Sequence, residues 1–292
     1  MHSLSLLNSN VITKTVLYLR MIKFSHSVFA LPFALTSAFI AAKGLPGLNT
    51  MFWIIVSMVS ARTVAMGLNR IIDRKIDSAN PRTAGREMPA GIIRTWEAYV
   101  FVVISAGIFV FSTYMLNSLC FKLSWIALAF ISLYSYTKRF TWLSHFVLGI
   151  TISGAPVGAW IAVTGDFDVK ILLLGFSIVF WLAGFDILYA LQDLEFDIRH
   201  GLHSVPERFG IHASLWISRS CHFLTWLLLL LTGVYFSLPI TFYIGIAITA
   251  LLLLYEHLLV KPYDLSKLDK AFFNMNGYIS ITVFVFTAFS YI

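Results

Sequence analysis

Apolar runs of about 20 residues alternate along this chain with shorter polar interruptions. The runs fall at about 25–43, 49–69, 97–115, 119–136, 145–163, 170–191, 213–235, 238–257 and 273–291. Each is long enough for one helical crossing of a bilayer, which takes about 20 residues. Hydrocarbon offers no partner to an unpaired peptide group, so segments of this kind form α-helices. The pattern predicts an all-α, polytopic membrane protein with nine transmembrane helices, residues 1–292 making a single membrane domain. The first run follows Lys14, Arg20 and Lys23 and ends in small residues, as a secretory signal does. It contains Pro32 and the next apolar run follows at once, so it reads as an uncleaved first span.

Composition and charge refine the picture. Apolar residues make up 59% of the chain and charged ones 12%, half of the roughly 25% that a water-facing surface carries. Basic residues sort by side. Counting the spans from the N-terminus, 17 of the 21 Lys and Arg precede span one or sit between spans two and three, four and five, six and seven, or eight and nine, Arg219 lying just inside span seven. Lys43, Lys122 and Lys170 lie on the opposite side, and Arg62 lies within span two. This bias places the N-terminus and the basic loops in the cytoplasm, and the bacterial inner membrane is the expected location. It also accounts for the net charge of +7 without a nucleic-acid partner. Cys120 and Cys221 fall in apolar runs and form neither a disulfide framework nor a zinc spacing.

Five of the 14 acidic residues are placed as a surface chain would not place them. Asp73 and Asp77 end span two; Asp186, Asp193 and Asp197 run along the end of span six. Acids at membrane depth are costly and mark function. In span two, Arg62, Asn69 and Asp73 stand at i, i+7 and i+11, one stripe of a helix with 3.6 residues per turn. In span six, Asp186, Asp193 and Asp197 repeat those offsets. Both stripes end on the cytoplasmic side. Facing carboxylates at i, i+4 suit a hard divalent cation: Mg²⁺ takes one or two carboxylates and completes its shell with water and substrate phosphate. Helix C-termini favour a cation as well. Arg70, Arg74, Lys75, Arg82, Arg86 and Arg208 nearby are donors suited to phosphate. Arg62, two turns inside the span, is expected to pair with Asp186 or to bind substrate. His200 and His203 stand at i, i+3 without a third ligand and read as loop residues; His26, His145, His212, His222 and His257 read as packing or interface residues.

The motifs Asn69-Arg-Ile-Ile-Asp73-Arg-Lys-Ile-Asp77 and Asp186-Ile-Leu-Tyr189-Ala-Leu-Gln-Asp193-Leu-Glu-Phe-Asp197 resemble the paired NxxxDxxxD and YxxxDxxxD segments of the UbiA superfamily of intramembrane prenyltransferases. Asn80-Pro-Arg-Thr-Ala-Gly-Arg86, Tyr134-Ser-Tyr-Thr-Lys138-Arg139 and Ser204-Val-Pro-Glu-Arg-Phe-Gly210 resemble further family segments. Within the superfamily the chain is most similar to the 4-hydroxybenzoate polyprenyltransferase branch, and HSVFALPFAL and GLHSVPERFG resemble members proposed to prenylate a naphthoate on the futalosine route to menaquinone. The resemblance implies nine helices around a central cavity under a cytoplasmic cap of loops. It implies that Asp73, Asp77, Asp193 and Asp197 hold two Mg²⁺ ions on the diphosphate, with Asn69 completing the first site, and that Arg82, Arg86 and Arg74 grip phosphate. His203 and Ser204 stand where many relatives carry Lys and Ser.

The expected chemistry is transfer of a polyprenyl group from its diphosphate to an aromatic acceptor. Tyr134, Tyr136 and Tyr189 are candidates to face an allylic cation, unless Tyr136 belongs to an interfacial aromatic belt. Lys138 or Arg139 could pair with an acceptor carboxylate, or serve only positive-inside topology. A cation-coupled transporter also has intramembrane acids, placed near the midplane rather than at one face. The resemblance leaves room, too, for a family member whose acceptor is haem, chlorophyllide or homogentisate.

Overall fold

The computed structural model describes residues 14, 16–23, 30–265, 268 and 274–291. Among these, ten α-helices follow in order: α1 (Leu31–Ala42), α2 (Leu48–Ala79), α3 (Thr95–Leu116), α4 (Ser118–Thr137), α5 (Ser144–Thr164), α6 (Ile171–Ala190), α7 (Leu194–His200), α8 (Val205–Tyr235), α9 (Ile240–Leu259) and α10 (Asn276–Phe289). By length and composition, seven stretches can cross a membrane, that of α6 running on through α7; α1 and α10 are shorter apolar helices. The predicted starts of spans one and nine, with His26, Lys267 and Lys270, lie outside the described residues.

Local chemistry sets the helix ends. Pro32 stands in the first turn of α1, where its missing N–H costs nothing. Gly165 and Gly201 close α5 and α7 in the left-handed conformation, which glycine adopts without strain. α8 differs from the predicted span. It starts at Val205, eight residues before the apolar run, because the Ser204 hydroxyl accepts from the Glu207 N–H at 3.2 Å and caps it. Gly210, at φ 76°, then kinks the helix where it turns from the amphipathic start into the apolar span.

The helices form a ring. α2, α3, α4, α5, α6, α8, α9 and α10 pack in succession, and α1 closes the circle by touching α10, α5 and α2. α6 is the most enclosed: most of its span is buried against α5 and α8, which is why it is apolar on every face. Trp181 is fully buried there, with Phe33 of α1 at 4.9 Å between ring centroids. Small residues bring the helices close. A Cβ on Gly149 would sit 2.6 Å from the Val179 carbonyl oxygen, and one on Gly184 would sit 2.4 Å from His222. Large apolar side chains such as Ile104, Phe111, Trp125 and Leu251 cover the outer surface, as lipid-facing positions require.

Candidate active site

Two long elements deliver the acids. α2 has 32 residues, about 48 Å of helix at 1.5 Å per residue, against a hydrocarbon core of about 30 Å. Asn69 stands in the last turn of its apolar stretch, which ends at Ile72, and Asp73 and Asp77 stand just past it. α6 carries Asp186 and Tyr189, then tightens into a 3₁₀ turn over Leu191–Asp193 before α7 begins. The expected stripe is therefore not one continuous α-helix. Three residues at the 3₁₀ pitch turn the chain about 60° further than an α-helix would. Asp186, Asp193 and Asp197 nevertheless line a single cavity of about 320 Å³ together with Asn69, Asp73 and Asp77.

At the mouth of this cavity every cap-side aspartate of the α2 motif meets cations. Asp73 is 2% exposed and accepts from Asn69 at 3.0 Å and from Arg139 at 3.0 Å, with the Lys138 ammonium at 2.5 Å. Asp77 accepts from Arg86 at 2.8 Å and lies 3.7 Å from the buried Arg70 guanidinium. Across the cavity, Asp193 takes the fork of Arg82, with Nε at 2.9 Å and Nη2 on the second oxygen, and the Asn80 amide at 2.9 Å. Arg82 also donates to the Tyr189 hydroxyl at 2.8 Å and lies over its ring. Burial alone would lower the Arg82 guanidinium, but its bonds to Asp193 and Tyr189 outweigh that and raise it. The first cap segment thus reaches over from the end of α2 and fastens to α6. Five cations thus meet three carboxylates in the cluster, which leaves positive charge in excess at the mouth.

The inner part of the cavity is different. Ala30, Leu148, Ile152, Trp181, Leu182 and Phe185 line it, and the charged groups there are Arg62 and Asp186. Arg62 Nε has no hydrogen-bond partner. The expected Arg62–Asp186 pair does not form; Asp186 Oδ2 instead accepts from His145 Nδ1 at 2.7 Å. Tyr134 also lines the cavity, its hydroxyl donating to the Ala65 carbonyl at 3.3 Å.

Other expected positions fall elsewhere. Arg74 is one residue past Asp73, about 100° around the helix; it faces outward and donates to Thr95 at 2.5 Å. Tyr136 is exposed with Arg139 against its ring, away from the cavity. Lys138 lines the cavity, Arg139 sits behind Asp73, and both engage that carboxylate. His200 stacks on Phe196, while His203 lines the cavity 3.7 Å from Glu207. His222 and His257 meet at 2.9 Å behind α6, away from the cavity, with Glu256 beside His222.

Three residues contribute more than the sequence pattern suggests. His145 reads there as a packing residue, Asn80 as part of a motif only, and Arg70 only as a nearby donor. Asn80 carries a signal, the Asn-Pro pair that ends a helix and starts a turn. His145 carries none.

The four carboxylates fit Mg²⁺ by donor chemistry: hard oxygens, with the Asn69 amide beside them. Among the described residues no three His, Cys, Asp or Glu side chains converge into a closed metal cage.

Comparison with known proteins agrees with this geometry. The chain is 30% identical over 251 residues to a protein named 4-hydroxybenzoate octaprenyltransferase from Vibrio atlanticus, covering 86% of this chain and 88% of that one. It is 30% identical over 257 residues to the protein of the same name from Pseudomonas aeruginosa, covering 88% and 86%. A solved UbiA homolog from Aeropyrum pernix superposes with a TM-score of 0.82 at 29% identity, over 89% of this chain and 96% of that one. A UbiA homolog from Archaeoglobus fulgidus, solved bound to GPP and Mg²⁺, shares the fold with a TM-score of 0.68 at 19% identity, over 94% and 99%. The model of the UbiA prenyltransferase family matches residues 30–278. With both aspartate motifs inside that match and their side chains gathered at one cavity, the chain belongs to the UbiA prenyltransferase family.

Proposed function

We propose that this prenyltransferase carries a polyprenyl group from its diphosphate to an aromatic acid, 4-hydroxybenzoate or a related hydroxynaphthoate, in the biosynthesis of ubiquinone or menaquinone. The observation that carries this reading is the division of one cavity into a polar mouth of carboxylates and cations and an apolar interior with Arg62 and Asp186 at its wall. The mouth suits a diphosphate with its counter-ions. The interior suits a flat apolar molecule bearing one negative group and one hydroxyl. The names of the relatives point to the same acceptor class.

Asp73, Asp77, Asp193 and Asp197, with Asn69, would hold Mg²⁺. When bound, the metal supplies positive charge to the diphosphate. Arg82 and Arg86 turn from their aspartates to the phosphate oxygens and neutralise charge as the allylic C–O bond breaks. Lys138, already between the two halves of the site, does the same from the α4 side. The allylic cation is shielded from water by the apolar wall and faces the rings of Tyr134 and Tyr189. Arg62 lies 11 residues before Asp73, about 16 Å deeper along α2, and binds the acceptor carboxylate. Asp186 lies seven residues before Asp193, about 10 Å deeper at helical rise, and accepts the hydroxyl proton of the acceptor. The ring carbon beside that hydroxyl then attacks the cation; that carbon loses its own proton as the ring regains aromaticity, and the proton held by Asp186 returns to the oxygen. The active face lies toward the cytoplasm, in the bacterial inner membrane, following the basic loops.

The test is a purified enzyme in detergent or nanodiscs supplied with Mg²⁺, a panel of polyprenyl diphosphates, and 4-hydroxybenzoate or dihydroxynaphthoates. Prenylated acid and diphosphate are expected in equal amounts, with both abolished by EDTA and restored by Mg²⁺. Full turnover in the presence of chelator, or no prenylation of any aromatic acid, would overturn the reading.

A further inference from the structure

His145 stands at the start of α5 and is 4% exposed. Its two ring nitrogens have different partners. Nε2 receives the Val205 backbone N–H at 3.2 Å, and Nδ1 meets Asp186 Oδ2 at 2.7 Å. A peptide N–H can only donate, so Nε2 carries no proton and Nδ1 does. The tautomer is fixed by the fold. The imidazole donates to Asp186 through Nδ1–H and accepts from Val205 at Nε2.

The two bonds span three elements: α5 holds the imidazole, α6 holds Asp186, and Val205 opens α8 directly after residues 194–204, the second cap segment. That segment is tied down a second time, by the His203 N–H on the Lys138 carbonyl at 2.7 Å. Lys138 in turn engages Asp73. One oxygen of Asp186 is therefore anchored through Nδ1–H, while its side chain, 26% exposed, lines the inner cavity beside the apolar side chains.

We propose that His145 is the positioning residue of the acceptor site. It holds one oxygen of Asp186 so that the other faces the acceptor hydroxyl, and through Val205 it couples the placement of that carboxylate to the seating of the second cap segment. The proposal rests on the reading of the enzyme as a prenyltransferase of aromatic acids. The imidazole is a bridge with one donor and one acceptor. A side chain of similar reach with one donor and one acceptor can replace it, and an apolar or shorter one cannot.

The experiment compares His145→Leu, His145→Asn and His145→Gln in the purified enzyme, each first shown to retain Mg²⁺-dependent binding of the prenyl diphosphate. Leu and Asn are expected to raise KM for the aromatic acid by about tenfold or more, the scale of a lost hydrogen bond to a charged group, with KM for the prenyl diphosphate changed less than about twofold. Gln, whose amide N–H can reach Asp186 while its carbonyl accepts from Val205, is expected to bring the acceptor KM back within about threefold of the parent enzyme, with the same pH profile. Equal changes in both KM values for Asn, the variant closest in polarity, would reduce His145 to a packing residue and overturn the proposal. So would a Gln variant as impaired as Leu, because the imidazole itself would then be required. If the parent enzyme prenylates no aromatic acid, it is the underlying functional reading that fails, and that result is visible before any variant is made.

Discussion

Asp193 receives both arms of Arg82 and the amide of Asn80, so substitutions around it have separable consequences. Asp193→Asn keeps the shape and removes the charge that holds Arg82 and that would hold Mg²⁺ under the proposed function. Turnover is expected to fall by about 10²–10³-fold or more, the range for losing a charge-stabilising group at a reacting centre, read as diphosphate release; an Asn variant with parental rates would end the metal assignment. Arg82→Ala is expected to raise KM for the prenyl diphosphate by roughly tenfold to a hundredfold, measured by initial rates at saturating acceptor. Arg82→Lys should recover only part, since an ammonium cannot present the guanidinium fork. A Lys variant equal to the parent would show that the fork is not used. At this scale the sequence is informative wherever function follows a helical period. Asn69, Asp73, Asp77, Asp186 and Asp193 are legible as stripes. Arg74 is misplaced by nearness along the chain, because one residue of α-helix is a turn of about 100°. His145 is illegible for a related reason: its partner is 41 residues away on another helix, and no local period encodes that distance.

The helices themselves are more readable than their contacts, because an all-round apolar face of about 20 residues has few other uses. The predicted 145–163 span corresponds to α5 and 170–191 to α6. The start of α8 is hidden because Pro206, Glu207 and Arg208 read as a polar loop, although Ser204 followed three residues on by Glu207 is a capping signature. How closely the helices approach is not legible at all, and one glycine shows what depends on it. A Cβ on Gly149 meets the backbone of Val179 at 2.6 Å, and backbone cannot move aside as a side chain can. Gly149→Ala must therefore push α5 away from α6, and with it His145 away from Asp186. The expected cost is about 1–3 kcal/mol, as for overpacking elsewhere, read as a lower Tm in detergent. Gly154→Ala on the same helix meets nothing within 4 Å and gains helix propensity, so its Tm should equal or exceed that of the parent. Equal Tm values for the two variants would show that the α5–α6 crossing is looser than the geometry implies.

For the molecule as a whole, the ring of helices matters because it sets both carboxylate motifs at one end of a cavity whose interior is lined largely by apolar side chains. That end must face the compartment that supplies a charged diphosphate. Its basic residues, among them Arg82, Arg86, Lys138 and Arg139, belong to the loops on which positive-inside orientation acts, so under the proposed function the same charges would serve topology and substrate binding. Orientation and function are therefore linked and can be tested together. Ala90 is an exposed residue of the first cap segment and Asp166 an exposed one between α5 and α6, at the other end of the bundle. Both native cysteines are buried, so the parent chain offers little background to a bulky reagent. With a membrane-impermeant maleimide on intact cells stripped of outer membrane, Asp166→Cys is expected to label at once and Ala90→Cys only after the cells are broken. Prior incubation of broken membranes with Mg²⁺ and a prenyl diphosphate should slow labelling at Ala90→Cys and leave Asp166→Cys unaffected, because the proposed diphosphate site lies under the first cap segment. If Ala90→Cys reacts from outside intact cells, the charge bias has been misread and the site opens to the wrong compartment for a cytoplasmic substrate.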